Sequence, residues 1–365
     1  MSKILFLANH FITLHSFRKE MIKEMRTRGY EVWLSLPDNP DNVYFENLGC
    51  KIIPTQISRR GLNPIKDVQL VMQYKKIIWD INPDIIFSFT IKPNIYGTIA
   101  SNGTGIRHIC NITGTGATFL KKNFVSTICM NLYRVSVKKC YKTFFQNTGD
   151  RDFFIKNGMV APERCEMLPG SGCNLEQHQF KPLPSTAHLN FIYIGRVMKL
   201  KGVDEYLACA MAIHNMYPNT TFYIAGWNEE PEYMKKVEEA QKDGCVEYIG
   251  FRKDIDQWIE KCHCTILASH GGEGVPNVLL ESAATGRICI ASNICGSRDV
   301  VDDCVTGYLF EKGNAEDLIK KVDAFINLPD DKKKRMGEAG RKKMEREFDR
   351  NIVIKAYMSE IDELE

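Results

Sequence analysis

The chain has 365 residues, 44% of them hydrophobic and 25% charged, with a net charge of +3. That length exceeds one ordinary hydrophobic core, so two globular domains are expected, and the composition excludes a disordered or fibrous chain. The small net charge hides an asymmetry: residues 1–184 hold 24 Lys+Arg against 14 Asp+Glu, a net of +10, and the remainder carries −7.

The opening MSKILFLANHF reads as a first strand, because Asn9 and His10 interrupt the apolar run before it reaches leader length. A helix is expected over Ser16–Arg28, with Phe17, Met21 and Met25 on one side and Gly29 closing it. EVWLSLP then returns as a strand, which makes a βαβ unit. KIIPT is a short strand. Asn63 caps a helix from Pro64 to Ile81, Asp84–Phe89 is a strand, and a helix follows TIKPNIYG. RHICNIT runs into the turn Gly114-Thr115-Gly116, a long helix covers 123–141, and Lys142–Asn147 closes this half. Leu168–Asn174 and Lys181–Ala187 are rich in Gly, Pro and Ser without periodicity, so the linker is placed there. Strand–helix alternation then restarts with NFIYIG, TFYIAG, CVEYIG, CTILA, RICIAS and TGYLF, with helices between them and three more after residue 314. The pattern implies α/β domains with parallel sheets covered on both faces, over residues 1–180 and 185–348. No apolar stretch approaches ~18 residues, so no spanning helix is expected. Thirteen scattered cysteines behind a start of this kind read as reduced cytosolic thiols.

The chemistry concentrates where strands end. SHGGEGVPN (Ser269–Asn277) is a glycine-rich turn between a short strand and a helix starting at about Pro276. Glu273 lies on the turn and Glu281 more than one helical turn in. N–H groups at a helix start attract anions and sugar hydroxyls, and a carboxylate one turn on can accept both hydrogen bonds of a vicinal diol such as ribose. The bland alternative is a strand–turn–helix with incidental acids. After IYIG come Arg196 and, five residues on, Lys201-Gly202, a guanidinium and an ammonium able to neutralise a diphosphate without a metal. Gly226 and Gly250-Phe251-Arg252 could wall a base pocket. No P-loop is present and no GxGxxG follows the first strand, which argues against an ATPase or a standard dehydrogenase. Cys262-His263-Cys264 lacks a second ligand pair at zinc spacing, and Asp302-Asp303 falls in a turn, so no metal site is expected. In the basic half, Arg59-Arg60-Gly61 could hold a pyrophosphate. The helix over 123–141 carries Val125, Ile128, Cys129, Leu132 and Tyr133 on one side, with Arg134, Lys138 and Lys139 toward its end. It fits either a lipid headgroup layer or a core helix with a basic C-terminus.

EGVPNVLLE with SAATG behind it, ICIASNICGSRDVVDDCVTGYLF, and YIGRVMKLKGVDEYL together resemble the family 4 retaining glycosyltransferases. HSFRKE, ISRRGLNPIKD, FTIKPNIYG, NITGTG, FFQN and LPGSGCNLEQHQF resemble its bacterial capsule and O-antigen subgroup, which adds N-acetylhexosamine or uronic acid to polyprenyl-diphosphate-linked sugars. The resemblance implies the GT-B fold: two Rossmann-like domains facing across a cleft, with a C-terminal helix over 351–365 packing back on the first. It implies a UDP-sugar donor held by the second domain. Glu281 would take the ribose and Arg196 and Lys201 the diphosphate. Glu273 would lie by the sugar hydroxyls, beside the backbone of Gly274, Val275, Pro276 and Asn277, with Gly195, Gly226 and Phe251 also on the donor. The acceptor side would use Arg59, Arg60, Thr90, Lys92, Asn94, Thr113 and Thr115. No cofactor or metal is implied. The expected setting is the cytoplasm, with the basic domain against an anionic membrane face and no nucleic-acid partner. Asn9-His10-Phe11 replaces a common Gly-Gly turn, and Thr113–Gly116 stands where many members have a histidine. The competing readings are a nucleotide-sugar 2-epimerase on the same fold and a non-catalytic membrane-associated subunit.

Overall fold

A computed structural model describes residues 2–58, 63–120 and 123–364. The chain divides into two units, Met1–Ser171 with Asn351–Glu365, and Gly172–Arg350. The first contains a seven-stranded parallel sheet: β1 Lys3–Leu7, β2 Glu31–Leu36, β3 Lys51–Pro54, β4 Ile85–Phe89, β5 Arg107–Ile112, β6 Lys142–Phe145 and β7 Cys165–Met167, in spatial order β3-β2-β1-β4-β5-β6-β7. The second contains six parallel strands: β8 Leu189–Ile194, β9 Thr220–Ala225, β10 Glu247–Gly250, β11 Cys264–Leu267, β12 Ile288–Ser292 and β13 Gly307–Phe310, in order β10-β9-β8-β11-β12-β13. Both orders are doubly wound. Each reverses beside its first strand, between β1 and β4 and between β8 and β11, where a crevice opens at the carboxyl ends of the strands.

The period of two along the strands divides the first core. Ile4 and Phe6 pack with Ile85, Phe87 and Phe89 on one face, and Leu5 and Leu7 with Ile86 on the other. Helix Phe11–Thr27 covers the first face through Leu14, Met21, Ile22 and Met25. Helix Pro64–Ile81 covers the second through Leu70, Tyr74, Ile77, Ile78 and Ile81. The sequence anticipates the second helix to the residue: the Asn63 side chain accepts from Lys66 N–H, Pro64 stands at the first turn, and Asn82 leaves in the left-handed region at φ 47°. The final helix, Arg350–Asp362, belongs to the first unit from Asn351 and seats Val353, Tyr357, Met358 and Ile361 in the face of β1 and β4. Tyr357 meets Phe87 and Phe144 edge-on at 5.1 and 5.2 Å and donates its hydroxyl to Asn111.

Several expected boundaries move. The first unit ends at Ser171, not near 180, because Cys173 N–H donates to Phe348 O at 2.7 Å and Arg350 N–H to Cys173 O at 2.9 Å, tying this stretch to the second unit. The half does not close at Asn147: a helix Thr148–Lys156 and the edge strand β7 follow. The helix expected over 123–141 is Phe124–Val135 plus one 3-10 turn, Val137–Lys139, broken where the Ser136 hydroxyl donates to Leu132 O. Its Cys129 and Tyr133 are core residues, whereas Phe124, Val125 and Val135 are exposed. No helix among the described residues is long and apolar enough to cross a membrane.

Tyr357→Ala is expected to cost about 3–5 kcal/mol by emptying a buried aromatic site. Urea unfolding of the first unit's transition measures it, and a loss under about 1 kcal/mol would show that the C-terminal helix contributes little to this core.

Candidate active site

The candidate residues of the second unit gather at the carboxyl edge of β10, β9, β8 and β11, around the point where the strand order reverses. Gly195 follows β8, Gly226 follows β9, Phe251 follows β10, and Ser269–Glu273 follow β11. The turns are joined backbone to backbone. A Cβ on Gly226, at φ +150°, would lie 1.8 Å from Gly195 O, and one on Gly202, at φ +72°, would lie 2.0 Å from Ala268 O. Only glycine permits either approach. His270 N–H donates to Leu200 O at 2.9 Å, and Val197 N–H to Trp227 O at 3.0 Å. Tyr193, 1% exposed, donates its hydroxyl to Arg196 O at 2.7 Å and fixes the turn that presents the Arg196 guanidinium.

This framework brings Lys201 to Glu273, where the two form an ion pair whose side chains are 19% and 18% exposed. The Ser269 hydroxyl donates to the same carboxylate at 2.7 Å. Burial alone would raise the Glu273 pKa. The Lys201 charge and hydrogen bond, the Ser269 hydroxyl and the Arg196 charge outweigh it, so Glu273 is held below the usual carboxylate range. Arg196 lies 3.6 Å from Glu229, an acid in the turn after β9. Sequence reasoning selected the cations and passed over Glu229, although it lies three residues beyond Gly226 in a strand-end turn of the kind that drew attention elsewhere. It also passed over the pair joining His270 to Glu205 at 2.9 Å, which ties the glycine-rich turn to the helix Val203–Met216.

Glu281 has different surroundings. It lies in helix Asn277–Ala284, whose N-cap is Pro276; Gly274, Val275 and Pro276 are buried ahead of it. Burial, with Asp256 adding to it and Arg350 opposing, pushes the Glu281 pKa up to about 7. The Asn277 side-chain oxygen is buried without a hydrogen-bond partner, and the first-turn N–H groups of a helix are not used inside it. The site therefore has a cationic end with an ionised carboxylate and a second end with a carboxyl that titrates near neutrality. Trp227 and Phe251 meet at 5.6 Å, with Phe251 60% exposed.

The two stretches weighed against metal binding, around His263 and at Asp302-Asp303, make contacts within the protein. His263 accepts from Asn190 N–H at 3.1 Å and lies 3.2 Å from Ser185 O. Asp302 takes Lys343 at 2.6 Å and Asp303 takes Lys321 at 3.5 Å.

In the first unit, Thr90 follows β4 as the N-cap of helix Ile91–Ser101 at φ 74°, ψ 165°, a region nearly reserved for glycine, and its buried hydroxyl oxygen has no hydrogen-bond partner. Lys92 bridges Asp67 at 2.9 Å and Ser58 at 2.8 Å on the wall of a cavity of about 850 Å3, lined also by Gln56, Gln69 and Gln73. Asn94 is 1% exposed and spends its amide on Ser88 and Asn111, so it supports the core rather than facing a ligand. Thr113 is exposed; Thr115 is buried against Asp150. Burial raises the Asp150 pKa to about 6 against hydrogen bonds from Asn147 and Thr115. Arg59 and Arg60 lie outside the described residues.

Residues 3–147 match the family described as glycosyl transferase 4-like, and residues 176–343 match glycosyl transferases group 1. The chain is 25% identical, over 99% of its length and 98% of the relative's, to the N,N'-diacetylbacillosaminyl-diphospho-undecaprenol alpha-1,3-N-acetylgalactosaminyltransferase of Campylobacter jejuni. It is 25% identical, over 75% of this chain and 73% of the relative, to an Escherichia coli UDP-Gal:alpha-D-GlcNAc-diphosphoundecaprenol alpha-1,3-galactosyltransferase. Its fold is similar to that of Anabaena HepE, solved with UDP and glucose, at a TM-score of 0.81 and 18% identity over 100% of both chains.

Two outcomes follow from the geometry. Lys201→Met and Glu273→Gln are expected to couple in a double-mutant cycle by about 1–3 kcal/mol, because each single change removes one partner of a largely buried ion pair; strict additivity would dissolve the pair. Glu281, with its pKa raised, binds a proton in the folded state between the ordinary carboxylate range and about 7, where the unfolded chain has lost it. Its contribution to stability therefore falls as pH rises through that window. Glu281→Gln is expected to gain stability relative to the parent at pH 8 compared with pH 5, by on the order of 3 kcal/mol. Parallel denaturation curves at both pH values would contradict the assignment.

Proposed function

The chain belongs to the group 1 glycosyltransferases, with a glycosyl transferase 4-like amino-terminal part, and from that premise we propose the reaction, substrates and residue roles. The enzyme moves an N-acetylhexosamine or another hexose from a UDP-sugar to a polyprenyl-diphosphate-linked saccharide, in the building of a surface polysaccharide. The names of the two bacterial relatives support both the sugar class and the lipid diphosphate. The observation that carries the reading is the Lys201–Glu273 pair, with Arg196 and the Ser269 hydroxyl beside it, at the strand-order reversal of the second unit.

The donor lies along this edge. Glu281 accepts the ribose hydroxyls, and the base rests by Gly226, Trp227 and Phe251. Arg196 and Lys201 meet the diphosphate, where negative charge grows as the bond from the anomeric carbon to the phosphate oxygen breaks. Fixed cations aimed at that charge stabilise the transition state more than the ground state. Glu273, held ionised, is an acceptor only, which suits hydrogen bonds from sugar hydroxyls and not proton donation. Retention follows if the acceptor hydroxyl attacks from the side the diphosphate leaves, its proton passing to the departing phosphate oxygen. That route requires neither an enzymic nucleophile nor a metal. The first unit supplies acceptor contacts from Thr90, Lys92 and the polar cavity beside them. A lipid-linked acceptor brings the enzyme to the inner face of the cell membrane.

Purified protein given a panel of UDP-sugars and a short-chain polyprenyl-diphosphate saccharide in EDTA is expected to yield an acceptor one sugar heavier, read by mass spectrometry. Arg196→Ala and Lys201→Ala are expected to lower turnover on the order of 10²–10³. Hydrolysis to free UDP and sugar without an acceptor would favour the epimerase reading. Activity lost in EDTA and restored by Mg²⁺ would point to a bridging cation.

A further inference from the structure

Glu229 stands between the two groups that meet opposite ends of a nucleotide. It lies in the turn after β9, with its side chain 17% exposed. Its Oε2 accepts the Trp227 indole N–H at 3.2 Å, and its Oε1 lies 3.6 Å from Arg196 Nη1. Main chain holds it there. Val197 N–H donates to Trp227 O at 3.0 Å and Glu229 N–H donates back to Val197 O at 3.2 Å, so the turn is stitched to the residue after Arg196. Neither bond uses the Glu229 carboxylate. The next acid serves another end: Glu230 Oε2 accepts Lys199 N–H at 3.0 Å, at the start of the 3-10 turn Lys199–Lys201. The two oxygens of Glu229 are held differently. The indole contact is a hydrogen bond to an ionised acceptor. The contact with Arg196, whose side chain is 27% exposed, is an ion pair longer than a hydrogen bond. A diphosphate can offer that guanidinium two short parallel N–H···O bonds, the geometry a guanidinium matches best.

We propose that Glu229 is a positioning residue of the donor site: through one oxygen it fixes the Trp227 ring as a wall of the base pocket, and through the other it competes with the nucleotide diphosphate for Arg196. The inference rests on the reading that a uridine diphosphate lies along this edge. With the site empty, Glu229 gives Arg196 a counter-charge beside the turn. When the donor arrives, phosphate oxygens take the place of Oε1 at the guanidinium, while the Oε2 bond to the indole stays. After transfer, the freed phosphate oxygen gives UDP about one negative charge more than the sugar nucleotide carried. A carboxylate fixed at this spot repels that charge. Glu229 therefore limits how tightly the product is held and returns to Arg196 as it leaves.

The experiment is calorimetric titration of the full chain and of two variants with UDP and, separately, with uridine. Glu229→Gln keeps a side-chain oxygen for the indole N–H and removes the charge beside Arg196. It is expected to bind UDP about three- to tenfold more tightly than the parent, a gain that shrinks as salt rises. Its uridine affinity is expected to stay within about twofold of the parent's. Glu229→Ala removes both contacts and is expected to bind uridine at least about threefold more weakly, a loss the glutamine variant does not show. A side chain that only stabilised the turn would weaken both ligands in both variants. UDP affinity in Glu229→Gln that equals the parent's or falls below it overturns the competition for Arg196. Uridine affinity unchanged in Glu229→Ala overturns the anchoring of Trp227. Either result, with UDP bound by the parent, leaves the donor assignment standing. A parent that binds neither ligand overturns the donor assignment and this inference with it.

Discussion

Everything at the candidate site depends on how closely two backbones approach. Gly202 rests against Ala268 O and Gly226 against Gly195 O, at separations where a methyl group on either glycine would fall inside the carbonyl. The turns after β8, β9 and β11 therefore interlock through main chain rather than through side chains, which could change rotamer. Gly296 repeats the device, with its would-be Cβ 1.6 Å from Gly274 O, and so fixes the run leading into helix Asn277–Ala284. Side-chain positions at such an edge are set by a covalent framework with little freedom, which is what an electrostatic site requires.

The consequence is electrostatic. Lys201 and Glu273 sit 72 residues apart in sequence and form one pair. A lone carboxylate in that setting would be pushed up by burial; with Lys201, Ser269 and Arg196 around it, it is pulled down. Glu281, eight positions beyond the glycine-rich turn's acid in the same motif, is pushed the other way by burial and by Asp256, which outweigh the opposing charge of Arg350. Two carboxylates of one motif thus hold opposite protonation tendencies because their neighbours come from different elements. Glu273 takes its neighbours from the turn after β8, and Glu281 takes its from Asp256 and Arg350, which lie on two helices distant in sequence.

That division also explains what was legible in the sequence. The period-two strands and the Asn63–Pro64 helix start were readable because local chemistry determines them. So were the strand-end turns, since glycine clusters after apolar runs have few other uses. Glu273, Glu281, Arg196 and Lys201 could be singled out by residue type and spacing. Their pairing could not, because it depends on long-range contacts such as Leu200 O with His270 N–H. Asn94, placed on the acceptor side by the family resemblance, gives its amide to Ser88 and Asn111 instead, contacts that no local pattern shows. The break at Ser136 was hidden because the apolar periodicity continues through it, and only the Ser136 hydroxyl on Leu132 O marks the stop. The boundary at Ser171 falls inside Leu168–Asn174, the first of the two stretches that composition marked; composition could not choose between that stretch and Lys181–Ala187, because the choice is made by hydrogen bonds of Cys173 to Phe348 and Arg350.

The first unit shows where such reading ends. Thr90 holds a backbone conformation that costs of order 1–3 kcal/mol in a non-glycine residue. No residue pattern announces this, since threonine after a strand is ordinary. The strain persists because its neighbours fix it from both sides: Phe89 is buried and paired within the sheet, and Asn94 N–H donates to Thr90 O at the start of the next helix. A glycine would relieve the backbone but remove the hydroxyl at the crevice between β1 and β4. Retaining threonine there keeps a polar oxygen without an internal partner at the one edge of the sheet where a doubly wound fold can meet a ligand.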